Sequence, residues 1–342
     1  MKICQIIFLL LMFFPLITNA QWQKQNVDTK AGFRGLSVVS EKIVWASGTG
    51  GTILRTVDGG ANWSVIKVPD AEKLDFRDIE AFDAETAYIL SIGNGDASRI
   101  YKTIDGGKTW KLQFKNTNEK AFFDALAFWD RSNGMAMGDP VDGKYTLLKT
   151  TDGENWSEPH GLVASFNGKV ATAAEGEAAF AASGTCLLTQ GKDNIFLVSG
   201  GSLARVFRSW NRGENWSVAD TPIVKGTAGS GIFSIAMLDS KNGVIVGGNY
   251  EKPDDMTNNL AFTADGGKTW TLRAGLNGYR SGVAYIDKKT ILAVGASGSD
   301  LSTDGGKTWK NLDKENYNAV AAKGKKAVWA VGASGLVAKY KF

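Results

Sequence analysis

Short runs of apolar residues separated by glycine-rich bends occupy nearly the whole of this chain, and no stretch of it keeps a helical period. Phe76-Arg77-Asp78-Ile79-Glu80-Ala81-Phe82 reads as a strand, Thr86-Ala87-Tyr88-Ile89-Leu90-Ser91 as the next, and Gly93 to Gly95 as the bend before a third at Ile100-Tyr101-Lys102. The apolar cores Ile43-Val44-Trp45-Ala46, Gly134-Met135-Ala136-Met137, Ile195-Phe196-Leu197-Val198, Val244-Ile245-Val246 and Ile291-Leu292-Ala293-Val294 repeat the second of these strands. The pattern predicts an all-β chain built from one unit used many times.

Each unit ends in the same phrase. Thr103-Ile104-Asp105-Gly106-Gly107-Lys108-Thr109-Trp110 returns almost unchanged at Thr263 to Trp270 and Ser302 to Trp309, and with Ala61-Asn62 before the tryptophan at Thr56 to Trp63. Ser209 to Trp216 has Asn211 and Arg212 in place of the aspartate and first glycine, and Thr150 to Trp156 is one residue shorter. A carboxylate that accepts backbone N–H groups, glycines free to take positive φ and a hydroxyl that bonds locally make a tight hairpin turn. The tryptophan is expected to lie over the turn as an apolar lid, with its indole N–H free for a carbonyl. Asp58, Asp105, Asp152, Asn211, Asp265 and Asp304 are therefore structural residues. One acidic residue per loop supplies too few oxygens for calcium.

The six tryptophans at 63, 110, 156, 216, 270 and 309 stand 47, 46, 60, 54 and 39 residues apart, the length of a four-stranded propeller blade. A seventh unit begins at Ala327-Val328-Trp329-Ala330-Val331-Gly332, but no phrase follows it before Phe342. Trp22-Gln23-Lys24 resembles the strands opened by Trp110-Lys111 and Trp309-Lys310, so the N-terminal strand is expected to complete the last blade and close the ring. Residues 21–342 are then one seven-bladed β-propeller.

Residues 1–20 read differently. Lys2, an apolar run from Ile6 to Ile17 and Thr18-Asn19-Ala20 have the form of a cleaved secretory signal, and the run is too short to span a bilayer. An exported protein, periplasmic or extracellular and with no transmembrane segment once cleaved, is expected. Removal of the leader takes Cys4 and Lys2 and lowers the formal charge from +4 to +3. Cys186, left alone in Cys186-Leu187-Leu188, reads as a small buried residue rather than a reactive thiol. Charges of both signs are interspersed without a basic block, which argues against nucleic acid. Absent any Cys/His cluster, no metal or cofactor is expected, and a monomer is the expected state.

Strand order sorts the residues by face. In a propeller the start of each innermost strand and the bend between strands two and three meet around one mouth of the channel, while the repeated hairpins fall on the opposite rim. Arg34, Arg77, Asp78, Asp124 and Arg280 stand at inner-strand starts; Asp139, Asn249 and Tyr250 stand at bends. The small-residue stretch Gly176 to Thr185, led by Glu177, is placed to line the channel, and the only histidine, His160, falls on a long connection where exposure is expected. Three arginines at one mouth would hold a carboxylate, phosphate or sulfate through their planar forks of donors. Pairing with Asp78, Asp124 and Asp139 as a polar plug is the competing expectation.

The repeated phrase resembles the Asp-box of BNR-repeat propellers. Phe33-Arg34-Gly35-Leu36, Phe76-Arg77-Asp78-Ile79, Gly138-Asp139-Pro140, Glu177 to Thr185, Gly231-Ile232-Phe233-Ser234 and Gly247-Gly248-Asn249-Tyr250 extend the resemblance to the photosystem II stability and assembly factor-like propellers. It implies an exported propeller used as a binding or assembly platform; the mouth residues Arg34, Arg77, Arg280, Asp124 and Asn249 are the expected site for a protein or an acidic or glycan ligand. Bacterial members of the group carry an oxidoreductase label, for which this chain offers no dinucleotide motif and no paired cysteine. Sialidases share the box and imply an alternative, a glycoside hydrolase using Arg34, Arg77 and Arg280 on a sugar carboxylate, Tyr250 as nucleophile activated by Glu177, and Asp139 or Asp78 as acid. The sialidase Arg-Ile-Pro phrase is here Arg34-Gly35-Leu36.

Overall fold

The structure, a computed structural model, describes residues 21–159, 164–166 and 169–342, with side chains outside 160–171. The leader and His160 lie outside the described residues. Seven sheets follow one another along the chain. Blade 1 is Phe33–Val38, Val44–Gly48, Thr52–Thr56 and Ser64–Lys67, each antiparallel to the next. Blade 2 repeats it with Phe76–Ala81, Ala87–Ser91, Arg99–Thr103 and Lys111–Lys115. The first strand of each blade packs beside those of its two neighbours, from Phe33–Val38 against Phe76–Ala81 round to Tyr317–Ala322 against Phe33–Val38. The predicted seven-bladed all-β propeller is what forms.

The second strand of each blade explains the apolar runs. Val44–Gly48, Ala87–Ser91, Ile291–Gly295 and Val328–Gly332 are buried at every residue because sheets cover them on both faces. A strand buried on both faces loses the alternation that a one-sided strand shows. Each large side chain sealed in this way stabilises the fold by about 1.5–3 kcal/mol.

The six boxes form the hairpins between third and fourth strands. In blade 2 the Thr103 hydroxyl donates to Asp105 Oδ1 (2.9 Å) and accepts from Gly107 N (2.9 Å), while Asp105 accepts from Thr109 N (2.9 Å) and Thr109 Oγ1 (2.6 Å). These donors, the Thr109 side chain foremost, hold the Asp105 carboxyl down at about 2. Each carboxylate oxygen is spent on its own turn. Trp110 and Trp270 lie over the second glycine of their boxes, as expected of a lid. Among the described residues the indole N–H groups mostly find no acceptor: Trp216 donates to Gly213 O (2.8 Å) and Trp156 to Gln113 (3.0 Å), whereas those of Trp63, Trp110, Trp270 and Trp309 have none.

The chain ends meet in blade 7. Gln21–Lys24 pairs antiparallel with Val337–Lys341, Trp22 opposite Tyr340. The Trp22 ring sits 5.0 Å from Tyr317 and 5.2 Å from Tyr340, and its N–H reaches Ser299 Oγ in blade 6 (2.9 Å).

Two departures from the repeat lie around the third box. Blade 3 has three strands, Phe123–Phe128, Gly134–Val141 and Lys144–Thr150, and its fourth is reduced to Ser157, which exchanges both backbone hydrogen bonds with Lys149 (2.8 and 3.0 Å). The long connection then forms Ala164–Phe166 and Lys169–Ala171, and the first of these adds in parallel to Trp216–Asp220 at the outer edge of blade 4.

Candidate functional site

The mouth is built from one local device used repeatedly. In blades 1, 2, 3, 5 and 7 the inner strand is bulged near its start, at Arg34, Arg77, Asp124, Phe233 and Asn318. A bulge leaves one residue outside the ladder and re-aims its side chain. The residue before each bulge, Phe33, Phe76, Phe123, Ile232 or Tyr317, is at most 1% exposed. One side chain therefore locks the blade while the next is turned toward the channel.

Arg34, Arg77, Phe233, Ser281 and Asn318 line a cavity of about 370 Å³ together with Phe180, Tyr250, Tyr279 and Tyr317. Its floor is the small-residue stretch, where Ala181 and Ala182 accept hydrogen bonds from Arg77 Nη1 (3.3 Å) and Arg34 Nη1 (3.1 Å). Phe180 stacks on Phe233 at 3.8 Å and 9°. A Cβ at Gly200 would lie 2.3 Å from Phe180 Cε2 and 2.8 Å from Gly231 Cα, so both glycines are needed for that stack. Tyr279 meets Phe233 edge-on at 4.7 Å, and Tyr250, 49% exposed, closes the rim at 6.2 Å from Phe233.

The two arginines are unequal. Arg77 Nε is paired with Asp75 at 2.7 Å, leaving part of its fork open. Arg34 is half-buried, and among the described residues no carboxylate forms an ion pair with it. Burial, and next the charge of Arg77, push its pKa below the ordinary arginine value, with Tyr279 and Asp75 opposing more weakly. A cation held half out of water beside a second cation favours an anion in the cavity.

The other sequence candidates sit elsewhere. Arg280 does not reach the cavity: it is 0% exposed, donating from Nε to Asp300 Oδ2 (2.8 Å) and from Nη1 to Tyr279 O and Ser297 Oγ (2.8 Å each). The inner strand of blade 6 begins at Gly282, which puts Arg280 one position short of the place that Arg34 holds in blade 1. A Cβ on Gly48 would strike Phe33, and one on Gly295 would strike Arg280, so Arg280 occupies the locking position of blade 6 and Ser281 takes the mouth position.

Glu177 is 4% exposed and grips Arg205, accepts from Ser199 Oγ (2.6 Å) and caps Ala174 N (2.9 Å). Tyr250 and Glu177 are thus not a nucleophile and its activator, and no carboxylate lines the cavity among the described residues. Asp139 receives Ala179 N (2.8 Å), and burial raises its carboxyl pKa. Asp124 lies beneath the floor with Oδ2 unpartnered; burial first and Asp139 second push its pKa well up. Asp78 ties two inner strands by accepting Ile79 N (2.8 Å) and Leu126 N (2.7 Å), and burial raises its pKa to about 7 against those bonds. Asn249 caps its own bend at Glu251 N (2.9 Å). The arginines thus pair with neither Asp78, Asp124 nor Asp139 as the polar plug required; Asp75 takes Arg77 instead. Cys186 is fully buried, as its apolar surroundings indicated.

The fold matches known propellers. The family model for the photosynthesis system II assembly factor YCF48 matches residues 14–112. Over that stretch the chain resembles YCF48. A structure of YCF48 bound to D1 peptide superposes with TM-score 0.66 at 18% identity, covering 96% of this chain and 99% of that one. YCF48 from Cyanidioschyzon merolae gives 0.68 at 18%, covering 94% and 99%. The same fold extends to U3-55K, at 0.64 and 14% over 94% and 98%. No curated protein sequence matches the chain. The likeness fixes the seven-bladed fold of this YCF48-like propeller; the bulged arginines and the aromatic wall belong to its own residues.

Proposed function

We propose that this protein is an exported binding platform whose mouth holds an acidic group of a protein partner. The observation that carries the reading is Arg34, a half-buried guanidinium that among the described residues has a single hydrogen bond, to Ala182 O, and no ion pair, beside a second arginine only half engaged. A ligand carboxylate bridging the two would complete the donors left open, each charge-assisted bond contributing about 1.5–3 kcal/mol. Phe180, Phe233, Tyr250 and Tyr279 offer apolar area next to that charge, which suits a peptide side chain better than a free inorganic anion. A YCF48 structure described as bound to D1 peptide supports peptide binding by a propeller of this form. The apolar leader supports export. The site would be occupied without chemistry, since the Tyr250, Glu177 and Asp139 roles needed for glycoside hydrolysis are not assembled.

The test titrates labelled acidic and neutral peptides into the mature protein and into Arg34→Ala/Arg77→Ala. Acidic peptides should bind the parent at low salt and lose tenfold or more in the double variant, at unchanged melting temperature. Equal affinities for both proteins would overturn the reading.

A further inference from the structure

The arginine mouth does not end at its aromatic wall. Ala296, on the bend between Ile291–Gly295 and Gly298–Ser302 of blade 6, lines the mouth and also a second cavity, of about 540 Å³. Pro253 and Met256 enter this cavity from the bend of blade 5 that follows Gly243–Asn249, and Asn277, Ser297 and Asn311 enter it from blade 6 and the connection leading into that blade. Asn311 belongs to the outermost strand of blade 6, Lys310–Asp313, so the cavity leads from the channel toward the rim as a cleft on the mouth face.

The cleft is held in shape from beneath by Arg280 and Asp300, both 0% exposed. Arg280 donates to Ser297 Oγ (2.8 Å) and Asn277 O (3.0 Å), and Asp300 Oδ1 accepts from the side-chain amides of Asn277 (2.8 Å) and Asn311 (3.1 Å). Ser297 Oγ in turn donates to Pro253 O (2.9 Å), which also accepts Tyr279 N (2.8 Å), so the bend of blade 5 is tied to the same buried pair. A carboxylate only accepts, so both amide nitrogens must turn toward Asp300 and both amide oxygens away from it. Asn277 and Asn311 are exposed, and among the described residues no donor reaches either Oδ1. Two acceptors fixed in place suit a ligand that brings N–H groups, which a phosphate or sulfate does not. Beside them Met256, 61% exposed, offers a thioether that adapts to varied apolar side chains. Asp254 and Lys314 also line the cleft and carry opposite charges, so it selects by hydrogen bonding and apolar contact while the arginines supply the charge. An extended peptide presents backbone N–H groups and side chains in alternation, which matches this lining.

We propose that the cleft is the outward continuation of the peptide site: the chain flanking the acidic anchor crosses Ala296 in extended form, gives backbone N–H groups to Asn277 and Asn311, and lays an apolar side chain on Met256. This rests on the mouth holding an acidic group, and adds that the residues beside that group are read as well.

The experiment compares two kinds of probe on the mature protein at low salt: glutamate blocked at both ends, and blocked hexapeptides of leucine and alanine with one glutamate at either terminus. The better hexapeptide should bind about tenfold more tightly than blocked glutamate, and N-methylation of its backbone amides should remove most of that gain. Asn311→Ala/Met256→Ser, at two exposed positions, should weaken the hexapeptide several-fold and leave blocked glutamate unaltered. Ala296→Leu, which narrows the passage between the cavities, should do the same, whereas Arg34→Ala/Arg77→Ala should weaken both probes. A hexapeptide that gains nothing over blocked glutamate, or whose gain survives N-methylation and the cleft variants, would overturn the continuation and leave the mouth standing. If neither probe binds, or if both bind regardless of the arginines, the mouth reading falls and the cleft falls with it.

Discussion

A Cβ on Gly306 would stand 2.2 Å from Cζ of Phe262, a side chain of the preceding blade. The second glycine of a box is thus a joint between blades as well as part of a turn. Trp329 of blade 7 stands in the same way 2.4 Å from a Cβ on Gly60 of blade 1, and Phe196 of blade 4 stands 3.1 Å from one on Gly267 of blade 5.

The neighbouring glycine supplies the control. Gly305 and Gly306 have φ of 80° and 83°, yet a Cβ on Gly305 meets nothing within 4 Å. Gly305→Ala should cost about 1 kcal/mol of backbone strain. Gly306→Ala should cost about 2–4 kcal/mol, strain and overpacking together, and Phe262→Leu should recover part of that excess. Denaturant unfolding of the three variants checks this, and equal losses at the two glycines would show that the joint does not matter.

The two kinds of arginine should separate by stability. Arg280→Ala leaves Asp300 buried without its cation and should cost about 3–5 kcal/mol, or prevent folding. Arg34→Ala breaks no ion pair and should leave the melting temperature within a degree or two while weakening an acidic ligand. Thermal melts of the two variants side by side decide it.

Deleting residues 22–27 should lower the melting temperature and promote aggregation, because it bares one whole edge of Val337–Lys341 and removes the Trp22 contacts with Tyr317 and Tyr340. Trp22→Ala alone, at a partly buried site, should cost about 2–3 kcal/mol. Unchanged melting of the deletion would mean that the ring does not depend on its terminal strand.

Acid groups inside the channel set a pH dependence of one sign and the boxes another. Burial, then repulsion from Asp78, lifts Glu80 to about 8 with Lys323 opposing, and Asp78 stands at about 7. The folded state therefore binds more protons than the unfolded chain from about pH 4 upward, and stability should decline as pH rises toward 8. Glu80→Gln should flatten that decline. Asp58, Asp105, Asp265 and Asp304, each held at about 2, contribute stability that is present above the ordinary aspartate range and disappears as pH falls from about 4 to 2. Melting curves across pH 2 to 9 should peak near pH 5, and a rise between pH 6 and 8 would contradict the Glu80 assignment.

The repeat made the fold legible because the box fixes both the spacing and the face of every hairpin, and Trp22 announced the closure by matching strands that follow Trp110 and Trp309. Arg34 and Arg77 were legible for the same reason, as departures from a repeated pattern at a repeated place. Arg280 misled because Tyr279-Arg280 imitates Phe33-Arg34, and only the ladder shows that blade 6 begins one residue later. Glu177 could not be placed without knowing that Arg205 lies opposite it, a partner 28 residues away. The aromatic wall went unread since Phe180, Phe233 and Tyr279 come from three separate segments and acquire meaning only where these converge.

The pairing of Gln21–Lys24 with Val337–Lys341 also bears on the order of events in time. Gln21–Lys24 is made about three hundred residues before the strand it pairs with, so among the described blades the seventh is the last to be sealed. Until then six blades form an open arc, whose exposed flanks at blades 1 and 6 are where association with a second unfinished chain would begin. Refolding should accordingly show its slowest phase in the fluorescence of Trp22, after the blades themselves have acquired their strands.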